Sequence, residues 1–110
     1  MRWWRLAHHY MDFCFRTRSV PRVDEFASML HVSREQLTRS FRDATGRSPA
    51  SAFRASQIRF AKRLLEYTDQ PTADVARAAA FGSARAFYRA FRRCVGVTPT
   101  DWRINARGRR

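Results

Sequence analysis

Two stretches of seventeen residues decide how the chain is read: SREQLTRSFRDATGRSP at positions 33–49 and SARAFYRAFRRCVGVTP at positions 83–99. Laid over each other at an offset of fifty, they share Ser33 with Ser83, Arg39 with Arg89, Phe41 with Phe91, Arg42 with Arg92, Gly46 with Gly96 and Pro49 with Pro99. Leu37 meets Phe87 in the same register. Upstream, Ala27 matches Ala76 at an offset of forty-nine, so one copy carries one extra residue before its serine. Identities this numerous and this well registered mark two copies of one unit of supersecondary structure.

The unit is read from its periodicity. In the first copy Val23, Phe26, Ala27 and Leu30 fall on one helical face, and His31-Val32 breaks the pattern. Ser33 then starts a second helix as its N-cap, with Gln36 three residues on as in a capping box. Leu37, Phe41 and Ala44 form the inner stripe, and Gly46 is placed for a left-handed cap. The second copy repeats this layout. Thr72 is the expected cap of a helix through Val75, Ala76 and Ala79, with Ala80-Phe81-Gly82 as the turn. Ser83 caps the next helix, Phe87, Phe91 and Val95 face in, and Gly96 stops it. Helix, short turn, helix is the layout of a helix-turn-helix.

Between the copies, Ser48 is an N-cap and Pro49 a favourable first helical residue. Phe53, Ile58, Ala61 and Leu65 then keep an apolar stripe until Asp69-Gln70-Pro71. This is one long helix of about 30 Å at 1.5 Å per residue. Ahead of it all, 6–16 reads as a helix with Leu6, Tyr10, Phe13 and Cys14 inward and Trp3 or Trp4 covering the core. Thr98 caps a short last helix, 99–105, on which Trp102 and Ile104 dock, and 106–110 reads as a frayed tail. No strand pattern is seen. The expected fold is all-α, with about seven helices in two helix-turn-helix subdomains, 6–47 and 70–105, joined by the linker helix 48–69.

Composition bounds the partner. The chain has 110 residues, enough for one modest core, and 45% of them are hydrophobic, too many for a disordered tail. Twenty-two Lys and Arg against nine Asp and Glu give +13, a balance that points to a polyanion. Lys62 is the only lysine, and Arg forks onto phosphates and guanine edges better than Lys does. A GC-rich genome also accounts for arginine over lysine, but not for the net positive excess. No apolar run reaches the roughly 20 residues of a membrane span. Cys14 and Cys94 form neither a metal motif nor a disulfide framework, so a cytoplasmic protein with reduced thiols is expected.

The second copy carries the most specific motif: Val75-Ala76, Phe81, Phe87-Tyr88-Arg89-Ala90-Phe91-Arg92-Arg93, Gly96-Val97-Thr98-Pro99 and Trp102-Arg103. On these residues, and on Ala61-Lys62-Arg63-Leu64-Leu65 of the linker, the chain resembles the DNA-binding domain of the AraC/XylS family of bacterial transcription regulators. The likeness runs from about Leu6 to Arg103. It implies two recognition helices in adjacent major grooves of a promoter operator, and RNA polymerase as a partner at activated promoters. Most members also carry a ligand-sensing domain, for which this length has no room. The chain is similar to the short members made of the DNA-binding domain alone, or to a piece of a longer regulator. Two departures stand out. The family usually has Gly in the turn before each recognition helix, where this chain has His31 and Ala80. Gly82 offers a place to relax the second turn, and Ala80→Gly is expected to raise stability if the turn is kept. Gln57 stands where the family often has Arg, which removes one expected basic contact or ion pair.

Base readers of helix-turn-helix proteins cluster toward the N-terminal part of the recognition helix. The expected base contacts are therefore Arg34, Glu35, Thr38 and Arg39 in the first copy and Ala84, Arg85 and Arg89 in the second. Arg can take guanine, Glu can accept from cytosine, and Ala can touch a thymine methyl. Each has an ordinary alternative: a solvated face for the arginines, a favourable first-turn acid for Glu35, and a simple helix former for Ala84. Arg42, Arg47, Arg92, Arg93 and Arg103 are expected on phosphates, with backbone amides at the helix starts capped by Ser33 and Ser83. Head-to-tail units in one chain allow a monomer to cover an asymmetric site of about two helical turns.

Other classes rank lower. A non-specific cationic nucleic-acid binder shares the charge but leaves two N-capped recognition helices unexplained. His8, His9, Cys14 and His31 match no metal ligand spacing. Trp3, Trp4 and their arginines suggest a membrane surface, for which covering the core is the simpler account. No nucleophile and base constellation appears, so neither an enzyme nor a cofactor is expected.

Overall fold

A computed structural model describes residues 2–108. Its helices are α1 (Trp3–Thr17), α2 (Val23–Met29), α3 (Arg34–Thr45), α4 (Pro49–Tyr67), α5 (Thr72–Ala78), α6 (Ala84–Val95) and α7 (Pro99–Gly108), and no strand occurs among the described residues. The chain gathers into two compact units, residues 1–56 and 57–110, with the boundary inside α4. The all-α reading with seven helices and a long linker helix holds.

The first unit is built on aromatic packing. Tyr10, Phe26 and Phe53 sit in a triangle with ring centroids 5.1, 5.2 and 5.6 Å apart. Tyr10 brings a polar tip into this core, so the tip needs partners. Its hydroxyl donates to Glu25 Oε1 at 2.7 Å and accepts the Arg22 N–H at 2.9 Å. This ties α1 to the start of α2. Burial of the ring raises the Tyr10 hydroxyl pKa above its ordinary value. Trp3 closes the unit edge-on against Phe41, while Trp4 is 62% exposed.

The second unit buries Ile58, Ala61 and Leu65 of α4 against Val75, Ala76 and Ala79, Phe81, and Phe87 and Phe91 of α6. Trp102 of α7 packs edge-on against Phe91 at 6.3 Å. The four apolar residues predicted along the linker are all buried. Phe53 belongs to the first core and the other three to the second.

Several local expectations need correction. Thr72 is the first residue of α5 rather than its cap; Pro71 occupies the cap position and has no side-chain donor or acceptor to offer. Ala44 is exposed, because the inner stripe of α3 ends with Phe41. Ile104 is 63% exposed, so Trp102 alone makes the expected docking contact. The tail is not frayed at 106–108: α7 runs to Gly108 with Ala106 buried, while Arg109 and Arg110 lie outside the described residues. Cys94 is exposed on α6, although burial is the commoner case for a helix cysteine.

Both turns ahead of the recognition helices close in one way. In the first, the His31 N–H donates to Ser28 O and the Val32 N–H to Ala27 O, each at 3.1 Å. In the second, the Ala80 N–H donates to Arg77 O and the Phe81 N–H to Ala76 O, each at 3.0 Å. This pairing is the Schellman motif, which needs a left-handed residue at its centre. His31 (φ 59°) and Ala80 (φ 65°) take that conformation without being glycine. The strain therefore falls on Ala80 itself and is not passed to Gly82.

Candidate nucleic-acid interface

Each recognition helix is started by its serine. The Ser33 hydroxyl accepts the Gln36 N–H and the Ser83 hydroxyl accepts the Ala86 N–H, both at 3.0 Å. Each is stopped by a left-handed glycine whose N–H returns to Arg42 O or Arg92 O at 2.8 Å. Leu37 and Phe41, or Phe87 and Phe91, point the inner face of the helix into its core. The opposite face has nowhere to go but outward.

In the first unit that face brings together Arg34, Glu35, Thr38, Arg39, Arg42 and Asp43. In the second it brings together Ala84, Arg85, Tyr88, Arg89, Arg92 and Arg93. All seven residues expected to meet bases lie on these faces, as do Arg42, Arg92 and Arg93 from the phosphate set. The two faces differ in charge. The second carries four arginines and no acid, whereas Glu35 and Asp43 offset two of three arginines on the first. Asp24 of α2 adds a third acid there, holding Arg34 Nη1 at 2.7 Å in an exposed pair.

Two arginines are employed elsewhere. Arg47 donates from one terminal nitrogen to Ser51 O and Ser51 Oγ, at 3.3 and 3.0 Å, bracing the start of α4. Arg103 is half-buried and closes the other end of α4. Its Nε donates to Leu65 O at 2.9 Å, and Nη2 donates to Thr68 O and Gln70 O at 3.2 and 2.7 Å. Those carbonyls belong to the last turn of α4 and the chain just beyond it, where no intrahelical donor remains. Burial, then the neighbouring Arg107 charge, lowers the Arg103 pKa somewhat. Arg107 completes the cap through Thr68 O and reaches Asp69 at 2.8 Å.

Sequence reasoning gave no contact role to two residues that the structure places on these faces. Tyr88 is half-exposed among the arginines of α6; an aromatic on a polar stripe was the available signal. Asp43 lies beside Arg39 and Arg42, and its sign is the signal. Gln57, read from sequence as the loss of one basic contact or ion pair, is 3% exposed and faces the turn before α6. Among the described residues no three His, Cys, Asp or Glu side chains gather as a metal would require. No helix of the described residues is long and apolar enough to cross a membrane.

A family model described as a helix-turn-helix domain matches residues 26–105, which contain both recognition helices. The chain belongs to the AraC-type helix-turn-helix family. Among its relatives, a putative AraC-like transcription regulator of Streptomyces antibioticus is 33% identical over 81 residues, covering 74% of this chain and 27% of that protein. A probable bifunctional transcriptional activator and DNA repair enzyme, AlkA of Mycobacterium tuberculosis, is 36% identical over 87 residues, 79% of this chain and 18% of that one. Among solved structures, the DNA-binding domain of the global transcriptional factor AdpA, in complex with a target DNA, superposes with a TM-score of 0.83 at 28% identity, covering 94% of this chain and 95% of that one. The chain spans about a third or less of the length of the curated relatives it matches. What it corresponds to in them is the AraC-type DNA-binding domain of a transcription regulator.

Proposed function

We propose that this domain binds a promoter site in double-stranded DNA, laying α3 and α6 into two successive major grooves as a monomer. The observation that carries the reading is the repeated recognition helix. Each is N-capped by serine, anchored by two buried apolar side chains, and presents an outward face holding three or four arginines. The AdpA domain, which shares the fold, was crystallised on a target DNA. Arg34, Glu35, Thr38 and Arg39, with Ala84, Arg85 and Arg89, read base edges. Arg42, Arg92 and Arg93, with the amides behind Ser33 and Ser83, hold phosphates, and Arg47 adds a phosphate contact next to its Ser51 brace. Arg103 leaves the phosphate set, since capping α4 occupies its Nε and Nη2. Head-to-tail units in one chain call for two unequal half-sites rather than a palindrome. The place of action is the cytoplasm, and relatives named as activators support RNA polymerase as a second partner.

Selection of bound duplexes from a random pool at about 0.15 M salt tests this. An enriched motif of roughly 20 base pairs with two different halves is expected from two grooves one turn apart. Tight, salt-sensitive binding without any enriched motif would sink the proposal in favour of a charge-driven binder.

A further inference from the structure

Gln57 lies on α4, yet its carboxamide is spent on the turn ahead of the second recognition helix. Nε2 donates to Ala79 O at 3.3 Å and to Ala80 O at 3.0 Å. The Schellman bonds from Ala80 and Phe81 serve the carbonyls of Arg77 and Ala76, leaving those of Ala79 and Ala80 to find donors elsewhere. Ala79 and Ala80 are fully buried, and a buried carbonyl without a donor is costly. Ala80 is also the strained residue, at φ 65° with a Cβ. A side chain that holds the carbonyls on both sides of the strained N–Cα bond of Ala80 fixes the direction in which the chain leaves the turn. Three residues later Ser83 starts α6, so that direction sets how Ala84, Arg85 and Arg89 are presented. The residue fifty places earlier is Ala7, which has no side-chain donor to give the first turn.

We propose that Gln57 is a positioning residue for DNA reading by α6: its carboxamide clamps the left-handed turn at Ala80 and so fixes the aim of the second recognition helix. This rests on the sequence-specific reading given above. Gln57→Met keeps the length and removes both donations.

The test compares the wild-type chain and Gln57→Met on the selected duplex and on duplexes with single base pairs substituted through each half. In the wild type a substitution in either half weakens binding by roughly five- to a hundredfold. In Gln57→Met, penalties in the α6 half fall to about threefold or less, while those in the α3 half and the salt dependence stay as they were. Unchanged penalties in both halves, or an equal loss in both, would overturn the proposal and leave Gln57 a merely structural residue. If Gln57→Met does not fold, the comparison is made in a His31→Gly background, which stabilises the chain without touching the Ala80 turn, with His31→Gly alone as its reference. If the wild type selects no site, the functional reading fails, and the clamp is judged by amide exchange alone. Faster exchange confined to Ala80, Phe81 and the first turn of α6 supports it; uniform or unchanged exchange in 57–108 refutes it.

Discussion

At the scale of single residues, the two left-handed turns are the sharpest departure from the family's usual glycines. They are equal in backbone and unequal in surroundings. A residue with a Cβ in this conformation costs roughly 1–2 kcal/mol, somewhat less for His, which visits the region more often than most. His31 is exposed, so His31→Gly removes that cost and gives up little else. A gain of about 1 kcal/mol is expected, roughly 4–8 °C in Tm for a domain of this size. Ala80 is 0% exposed, and its methyl is worth about 0.8 kcal/mol of burial. The methyl offsets part of the relief, so Ala80→Gly is expected to raise Tm by less than His31→Gly does. The turn is of the left-handed kind, and the gain first expected for this substitution is reduced by the loss of the methyl. Thermal melts of both variants decide the matter; equal gains would show that the Ala80 methyl contributes nothing. No reading of sequence could have separated these positions, because strain follows from local backbone pattern while burial is a property of the assembled unit.

At the scale of elements, much was legible, and the largest failure has a long-range cause. The starts of α3, α4, α6 and α7 were readable because Ser33, Ser48, Ser83 and Thr98 each satisfy an amide three residues on. That rule is local. The end of α4 was read to within two residues from Asp69-Gln70-Pro71, but the extent of α7 was not readable, because it depends on contacts with the end of α4 more than thirty residues away. Arg103 and Arg107 reach back to carbonyls at 65, 68 and 70, and Ala106 is buried in doing so. Charge pattern alone sent Arg103 to DNA. Arg103→Met is expected to cost about 2 kcal/mol, the scale of hydrogen bonds from a charged donor, while leaving the salt dependence of DNA binding unchanged. A slope lowered by about one, with stability intact, would return Arg103 to the phosphate set. The exposed Asp69 pair is a smaller matter. Arg107, by hydrogen bond and then by charge, holds the Asp69 carboxyl below its ordinary value. A depressed carboxyl pKa stabilises the fold above about pH 4, and that share is lost as pH falls through the lowered value. Asp69→Asn should therefore flatten a small part of the stability loss below about pH 4, read from melts across that range.

At the scale of the whole molecule, +13 sets affinity for any polyanion but says nothing about which face spends it. The structure distributes the charge unevenly between two helices that share one origin. On α3 the acids Glu35 and Asp43 limit what the arginines add to non-specific attraction, and Asp24 competes for Arg34. An acid also repels phosphate, so this face is expected to bind well only where its hydrogen bonds match the bases. On α6, Arg85, Arg89, Arg92 and Arg93 face no acid, and Tyr88 and Ala84 supply the rest. The second unit should therefore carry most of the salt-dependent affinity, and the first at least an equal share of the discrimination. Two substitutions on α6 separate the kinds of contact. Arg89→Ala should cost about 1–3 kcal/mol on the selected duplex and relax one base position. Arg92→Ala should weaken every duplex alike and lower the slope of log affinity against log salt by about one. Quantitative binding of each variant to a selected and a scrambled duplex, from about 50 to 200 mM salt, reads both quantities at once. If Arg89→Ala lowers the two affinities equally, its guanidinium lies on a phosphate, and the face of α6 anchors without reading at that position.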